Sequence, residues 1–219
     1  MNYDLYARAI ELVFNGSFRR QLAVALGEQI ARNVMQKAKR NYSEIVTHSP
    51  PIGGRKNPLT MNLLITAYAA AIYKAANGKV SPEKMGEVFS DAIERTVAFW
   101  LFTKAMAKKV FTRQWQDRRN ALAIESQTKA YPADFVWEFV YGKSVNEYGI
   151  NYRECGIYKM FERENCTELA SQMCKFDYVT AKYMGCELTR TKTIANGDGL
   201  CDFWYTKKQD HAGLTRQPV

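Results

Sequence analysis

Apolar residues recur at helical spacing through the first 130 residues of the chain. The clearest series places one apolar residue every four positions, at Leu22, Leu26, Ile30 and Val34. This series predicts a helix from a cap at Ser17 to about Arg40. A shorter helix over 3–14 is predicted before it, ending near Asn15-Gly16, because both residues disfavour helix interiors.

Turn-forming residues then divide the chain. Three prolines and two glycines within 47–58 exclude regular structure there. An alanine- and leucine-rich helix follows over 59–76 and is expected to end at Asn77. A serine–proline pair at 81–82 begins the next helix, with serine as its N-cap and proline in the first helical position. The helical pattern then continues, with a break expected near 118–120.

The second half of the chain mixes strands with helices. Residues 135–141 are aromatic and β-branched, which predicts a strand. Helices are predicted over 151–163 and 167–184, and Gly185 stops the second of them. Two further strands are predicted within 186–205, where apolar and polar residues alternate.

This order of elements predicts an α+β fold. A helical N-terminal half, residues 1–130, is expected to pack with a small antiparallel sheet and helices in residues 131–206. The whole of 1–206 is expected to form one domain, followed by a flexible tail over 207–219.

Composition narrows the class of protein. Of the 219 residues, 47% are hydrophobic and 13% aromatic, which is typical of an ordered globular chain. Lys and Arg number 31 against 22 acidic residues, and this net charge of +9 favours small anionic partners. A solvated helix face accounts better than nucleic-acid binding for the basic run over 104–119. The most apolar window, 63–73, is too short to span a bilayer.

Five cysteines, an odd number, and no secretory leader indicate free thiols in a reducing cytosol, so a cytoplasmic location is expected. The oligomeric state stays open, with a homo-oligomer formed through the long helices as one outcome. The spacing of the cysteines includes no Cys-x-x-Cys pair, so no metal site and no cofactor are predicted.

The densest polar chemistry lies in the predicted hairpin of 186–205. Its turn, Ala195-Asn-Gly-Asp-Gly199, joins two strands that bring arginine, threonine, carboxylate and thiol groups into a small volume. If Ile194 lies opposite Leu200, then Arg190 faces Trp204 and sits diagonally from Asp202. Two interpretations remain: a structural cross-strand ion pair with Arg190 stacked on the indole, or a functional site.

Other candidates lie on the helices that precede this hairpin. Cys174 and Asp177 are three residues apart and therefore share a helix face. Cys155 falls in the first turn of its predicted helix, where the helix dipole would favour a thiolate. Either thiol could meet Cys201 of the hairpin in space. The competing interpretation is that each cysteine is a small buried hydrophobe.

Four segments together resemble the L-2-amino-thiazoline-4-carboxylic acid hydrolase family. They are Pro51-Ile-Gly-Gly-Arg-Lys-Asn-Pro-Leu59, Glu154-Cys-Gly-Ile-Tyr-Lys159, Cys174-Lys-Phe-Asp-Tyr178, and Leu188-Thr-Arg-Thr-Lys-Thr-Ile-Ala195 with Gly197-Asp-Gly-Leu-Cys-Asp-Phe203. The likeness extends over about residues 50–206. This chain has Trp204 where an arginine often follows the Cys-Asp-Phe motif.

The resemblance implies hydrolytic opening of a cyclic isothiourea carboxylic acid to a carbamoyl-cysteine. An arginine would hold the substrate carboxylate, and the amidinium would need a carboxylate partner. The nucleophile would be either a cysteine thiolate or a water activated by an aspartate. The catalytic candidates are Cys201, Asp202, Cys155, Cys174, Asp177 and Asp198. The substrate-binding candidates are Arg190 first, then Arg55, with Thr193 and Asn57.

The thiolate route meets a chemical objection, because the leaving group is itself a thiolate and the adduct could revert. Direct attack by water therefore competes with it. A different class of function also remains, a non-catalytic module that binds a small molecule or a metal through Cys155, Cys174 and Cys201.

Overall fold

The computed structural model of the chain describes residues 4–208, apart from the side chains of 4–6 and Arg55. It confirms the α+β class, with helices followed by a four-stranded antiparallel sheet in the C-terminal half. The first helices are α1 Asp4–Leu26, α2 Glu28–His48, α3 Thr60–Ala76, α4 Pro82–Glu94, α5 Val97–Ala107 and α6 Arg113–Ser126. The second half contains β1 Val136–Tyr141, β2 Glu147–Glu154, α7 Gly156–Arg163, α8 Ala170–Cys174, α9 Phe176–Tyr183, β3 Cys186–Thr189 and β4 Cys201–Lys207.

The first helical break lies at Gly27, and the break predicted at Asn15-Gly16 is wrong. Helix α1 continues because Phe14, Phe18 and Leu22 carry one buried stripe across that point. A helical glycine costs only about 1 kcal/mol relative to alanine, which this burial outweighs. Gly27 has φ 85°, a left-handed conformation that separates α1 from α2.

The central helices are largely those predicted. Most residues of α3 are buried, and Asn77 ends this helix in a left-handed conformation with φ 49°. Ser81 caps α4 by accepting the Lys84 N–H. The break expected at 118–120 is wrong, because the chain turns over 108–112 instead. There the Thr112 side chain caps α6 by accepting the Trp115 N–H.

The sheet has the strand order β1-β2-β4-β3, with every neighbouring pair antiparallel. Strand β2 occupies residues that were predicted to begin a helix over 151–163, so only α7 of that helix forms. The predicted helix over 167–184 is likewise divided, into a 3₁₀ turn at 167–169 followed by α8 and α9. Gly185 ends α9 with φ 71°, as predicted.

The predicted hairpin forms with a shorter first strand and a different register. Thr189, not Arg190, pairs with Trp204, a shift of one residue. Residues 190–193 leave the ladder because the carboxylate of Asp202 accepts backbone N–H groups that a strand would otherwise use. Alternation along β4 is as predicted, with Cys201 and Phe203 both buried on one face.

Residues 4–208 include no helix that is both long enough and apolar enough to cross a bilayer. Of the tail predicted over 207–219, Lys207 ends β4 and the Lys208 N–H bonds to the Gly185 carbonyl. The remainder lies outside the described residues.

Candidate functional site

One face of the sheet is lined with aromatic rings and one thiol. Strands β2 and β4 pair Tyr148 with Tyr205 and Tyr152 with Cys201, and the alternation of the two strands turns all four side chains to this face. The rings of Tyr148 and Tyr205 stack with centroids 5.1 Å apart. Trp204 points to the opposite face of the sheet.

Helices from both halves of the chain cover this aromatic face. Trp115 of α6 packs on Tyr148, with centroids 5.3 Å apart. Helix α9 lies beside β3, where the Cys186 thiol donates to the Ala181 carbonyl at 3.3 Å. Cys155 immediately precedes α7 and connects that helix to the end of β2. The face is therefore bordered by α6, by α9 and by the start of α7.

Arg190 is held on this face by a fixed set of contacts. Its side chain is 5% exposed, and its guanidinium lies between the rings of Phe203 and Tyr178, at 4.9 and 5.1 Å. Nη1 donates to Oδ2 of Asp177 at 2.7 Å, and Nη2 donates to the Cys174 carbonyl at 3.0 Å. The predicted pairing with Asp202 and stacking on Trp204 are both wrong, because Arg190 lies beyond the end of β3 and turns towards α9.

Asp177 combines partial exposure with a desolvated carboxylate. Its side chain is 40% exposed. Desolvation nevertheless raises its pKa to about 6, against the opposing charge and hydrogen bond of Arg190. Within residues 4–208 no hydrogen bond engages its other oxygen, Oδ1. A carboxylate that is 40% exposed and still desolvated can be reached by a small molecule, and we call the surroundings of Asp177 the recess.

Four residues that interact electrostatically with Asp177 share this combination of partial exposure and a pKa raised mainly by burial: Tyr152, Cys155, Cys174 and Tyr205. Together with Asp177 they define the recess. The structure thus brings together three residues of the sequence prediction and two tyrosines that it omitted.

The three candidate thiols lie close enough to influence one another. Cys174 interacts with both Cys155 and Cys201. Burial raises the pKa of Cys155 to about 12, and it also raises the pKa values of the other two. The thiolate predicted at Cys155 is therefore wrong: backbone N–H groups at the start of α7 oppose the shift, but desolvation is the larger effect.

Cys201 is the most constrained of the three thiols. It is 6% exposed, and its Sγ accepts the Ile194 N–H at 3.2 Å. That hydrogen bond and the charge of Arg190 both favour its thiolate, although burial raises its pKa overall. Cys201 therefore lies under the recess and not on its rim.

Asp202 and Asp198 shape the loop between β3 and β4. Asp202 accepts the Thr191 N–H, the Thr191 hydroxyl and the Lys192 N–H at 2.9, 2.6 and 2.6 Å. Burial alone would raise its pKa, but these hydrogen bonds lower it below the usual range. Asp198 is exposed and accepts the Thr193 N–H at 2.8 Å, while the Thr193 hydroxyl accepts the Asn196 N–H at 3.2 Å. The side chains of Asp202, Asp198 and Thr193 therefore stabilise the loop between β3 and β4.

Asn57 is fully engaged in a different part of the fold. Its amide donates to the Asp134 carboxylate at 2.7 Å and to the Ile52 carbonyl at 2.6 Å, and its Oδ1 accepts the Leu59 N–H at 2.8 Å. These contacts fix the proline- and glycine-rich loop against the chain that enters β1. Arg55 belongs to a 3₁₀ turn at 54–56, and its side chain lies outside the described part of the structure.

The two tyrosines of the recess were missed for different reasons. Tyr152 lies in the last part of β2, residues 151–154, which overlaps the helix predicted over 151–163, although Tyr148, Ile150 and Tyr152 alternate as strand residues do. Tyr205 lies on the predicted face of β4, but the sequence alone suggests no role for it. In the described part of the chain, no group of three or more histidine, cysteine, aspartate or glutamate side chains is arranged to hold a metal ion.

Comparison with known proteins gives one family. The model of the L-2-amino-thiazoline-4-carboxylic acid hydrolase family matches residues 61–205, which include the whole recess. Curated proteins give no significant match. Among solved structures, an Fe(II) unliganded H-NOX protein mutant from K. algicida aligns over 91% of this chain and 97% of its own. Its 14% identity and TM-score of 0.31 are too low for any conclusion. The family match covers well over half of the sequence, and the chain therefore belongs to the L-2-amino-thiazoline-4-carboxylic acid hydrolase family.

Proposed function

We propose that this protein hydrolyses a small cyclic isothiourea carboxylate, of the 2-aminothiazoline-4-carboxylate class, to a carbamoyl-cysteine-type product. The observation that supports this most directly is the state of Asp177. One oxygen is held by Arg190, the other is open to the recess, and the pKa of about 6 suits a base that works near neutral pH. The family description, which is that of a hydrolase, agrees with this chemistry.

In the proposed reaction a water molecule attacks C2 of the substrate ring. Asp177 accepts a proton from that water as the new C–O bond forms. The bond between C2 and the ring sulfur then breaks, and its electron pair stays on the sulfur. The proton held by Asp177 passes to the departing sulfur, and the proton left on the new hydroxyl moves to the ring nitrogen as the carbonyl forms. The product therefore carries a free thiol and a carbamoyl group, and the sum is substrate plus one water.

Attack by water is favoured over attack by a cysteine. Burial raises the pKa values of Cys155, Cys174 and Cys201, so at neutral pH they are mainly thiols, which are poor nucleophiles. The leaving group would also be a thiolate, which gives a cysteine adduct little driving force. We assign Cys155 and Cys174 to the lining of the recess and Cys201 to the layer beneath it, where neutral polarisable groups suit a sulfur-containing ring.

The test is thiol release from L-2-amino-thiazoline-4-carboxylate by purified protein. We compare wild type with Asp177→Asn and Cys201→Ser, and with Glu187→Gln as a matched control on the exposed side of β3. Loss of a general base should lower kcat by about 10²- to 10⁴-fold, so Asp177→Asn should be nearly inactive. Cys201→Ser and the control should stay within a few-fold of wild type.

Each other outcome has a defined meaning. If Cys201→Ser is inactive while Asp177→Asn stays active, the nucleophile is the Cys201 thiolate and not a water molecule. Binding of the substrate to wild type without thiol release would favour the non-catalytic binding module. If wild type neither binds this substrate nor releases thiol from it, the substrate class is excluded.

A further inference from the structure

Arg119 is a half-buried cation that has no ion-pair partner among the residues the structure describes. It lies on α6, where its Cζ sits 5.0 Å from the centroid of the Trp115 ring. Burial lowers the pKa of its guanidinium, which nevertheless stays charged at neutral pH. Within residues 4–208 it forms no ion pair, and its electrostatic neighbours are Tyr152, Tyr148 and Arg118.

The position of Arg119 connects it to the recess through Tyr152. Tyr152 interacts with Arg119 and also with Asp177, Cys155 and Cys201. Trp115, whose ring Arg119 contacts, packs on Tyr148 with centroids 5.3 Å apart, so Arg119 lies at the edge of the same aromatic face. Tyr148, the other aromatic neighbour of Arg119, stacks on Tyr205 of the same recess.

Most of the second arginine of this face is committed. Both Nη atoms of Arg190 donate, to Asp177 and to the Cys174 carbonyl, and two aromatic rings lie 4.9 and 5.1 Å from its guanidinium. Only its buried Nε has no hydrogen-bond partner among residues 4–208. Its charge is thus neutralised by the residue proposed as the base. A guanidinium that is partly desolvated without a carboxylate partner is costly to the fold, which is the situation of Arg119 and is typical of a ligand site.

We propose that Arg119 binds the carboxylate of the substrate and thereby selects anionic rings. This proposal rests on the proposed function, and it replaces Arg190 as the predicted carboxylate-binding residue. The planar guanidinium can donate two parallel hydrogen bonds to a carboxylate. With the carboxylate held on the α6 side, the rest of the ring extends past Tyr152 towards Asp177.

The test measures binding and does not require turnover. The probes are L-thiazolidine-4-carboxylate, which lacks the amidine, and its neutral carboxamide, both titrated by calorimetry. Wild type should bind the carboxylate more tightly than the carboxamide. Replacing Arg119 by Gln should weaken carboxylate binding by about 10- to 100-fold, as for a lost charge-assisted hydrogen bond. Carboxamide binding should change by less than about twofold.

Two further variants separate a binding role from a structural one. Arg118→Gln removes a charge from the neighbouring, exposed position of α6 and should leave both affinities unchanged. Arg119→Lys keeps the charge but loses the fork, and should bind the carboxylate with an intermediate affinity. Melting temperatures of all variants show whether the fold is intact. If Arg119→Gln does not fold, the comparison of the two probes on wild type and Arg119→Lys decides.

The proposal is overturned if wild type does not prefer the carboxylate, or if Arg119→Gln binds it as wild type does. Equal losses for both probes would show that Arg119 only supports the fold. Turnover of L-2-amino-thiazoline-4-carboxylate with an unchanged KM in Arg119→Gln would reject this inference alone. Absence of both probe binding and turnover in wild type would reject the proposed function itself.

Discussion

Arg190 and Asp177 form an ion pair of 2.7 Å that joins the loop after β3 to the first turn of α9. The pair is asymmetric: the arginine side chain is 5% exposed, whereas the aspartate side chain is 40% exposed. The cation is thus part of the core, and the anion is presented to the recess. This arrangement orients a carboxylate while leaving one of its oxygens available.

Replacing Arg190 by Met should destabilise the protein. The change removes the ion pair with Asp177, the hydrogen bond to the Cys174 carbonyl and the contacts of the guanidinium with the rings of Phe203 and Tyr178. We expect a loss of about 1–3 kcal/mol in the free energy of unfolding, less than for a fully buried pair, because water still reaches Asp177. Urea denaturation measures it. Arg153→Met, which breaks the exposed pair with Glu138, is the control and should cost less than about 1 kcal/mol.

The pH dependence of activity should report Asp177. Burial raises its pKa to about 6, so the base form is present above that pH and activity should fall as the pH drops through about 6. An ordinary aspartate would lose activity only near pH 4. Because Arg190 opposes the rise, Arg190→Met should move the acid limb of kcat/KM to higher pH. An acid limb that stays at the same pH in this variant would exclude Asp177 as the titrating group.

The recess thiols should react slowly with alkylating reagents. Burial holds Cys155 at a pKa of about 12 and also raises the pKa of Cys174, so few thiolates exist at pH 7.5. Iodoacetamide, followed by mass spectrometry of peptides, should modify both at least about tenfold more slowly than cysteine in the urea-unfolded chain. Rapid labelling of Cys155 in the folded protein would contradict this and revive the thiolate route.

The sequence predicts the helices well where their ends have strong local signals. Ser81 and Asn77 act through their own side chain or backbone conformation, so no distant contact is needed to recognise them. The break at Gly27 and the continuity across Gly16 are different. They depend on which apolar stripe the rest of the protein buries, and that is set by tertiary packing.

In the candidate site, too, the sequence predicts what local signals determine and misses what tertiary packing determines. Cys155, Cys174, Cys201, Asp177 and Arg190 were grouped by composition and family resemblance, and the structure brings them together. Their protonation was not predictable, because it depends on desolvation by elements far away in the chain. The roles of Asp202 and Asp198 were obscured by the register, since a carboxylate that binds backbone N–H groups ends a strand that alternation alone would extend.

Trp204 provides a test of which face of the sheet carries the site. Its ring lies over Gly149, where an added Cβ would come within 2.9 Å of it, on the side away from Cys201 and Phe203. Trp204→Arg, which introduces the arginine expected from the family resemblance after the Cys-Asp-Phe motif, should therefore change KM and kcat by less than about threefold. It should still lower the melting temperature, because an arginine stem covers less apolar surface.

Phe203→Leu is the matched change on the recess face, since that ring packs on the Arg190 guanidinium at 4.9 Å. It should lower kcat/KM by about tenfold, because small displacements of catalytic groups are costly. Steady-state kinetics and thermal unfolding of both variants make the comparison. A large kinetic effect of Trp204→Arg with an unchanged melting temperature would place the substrate on the outer face of the sheet. Cys201 and the Arg190–Asp177 pair lie on the other face, so that result would contradict the whole assignment of the recess.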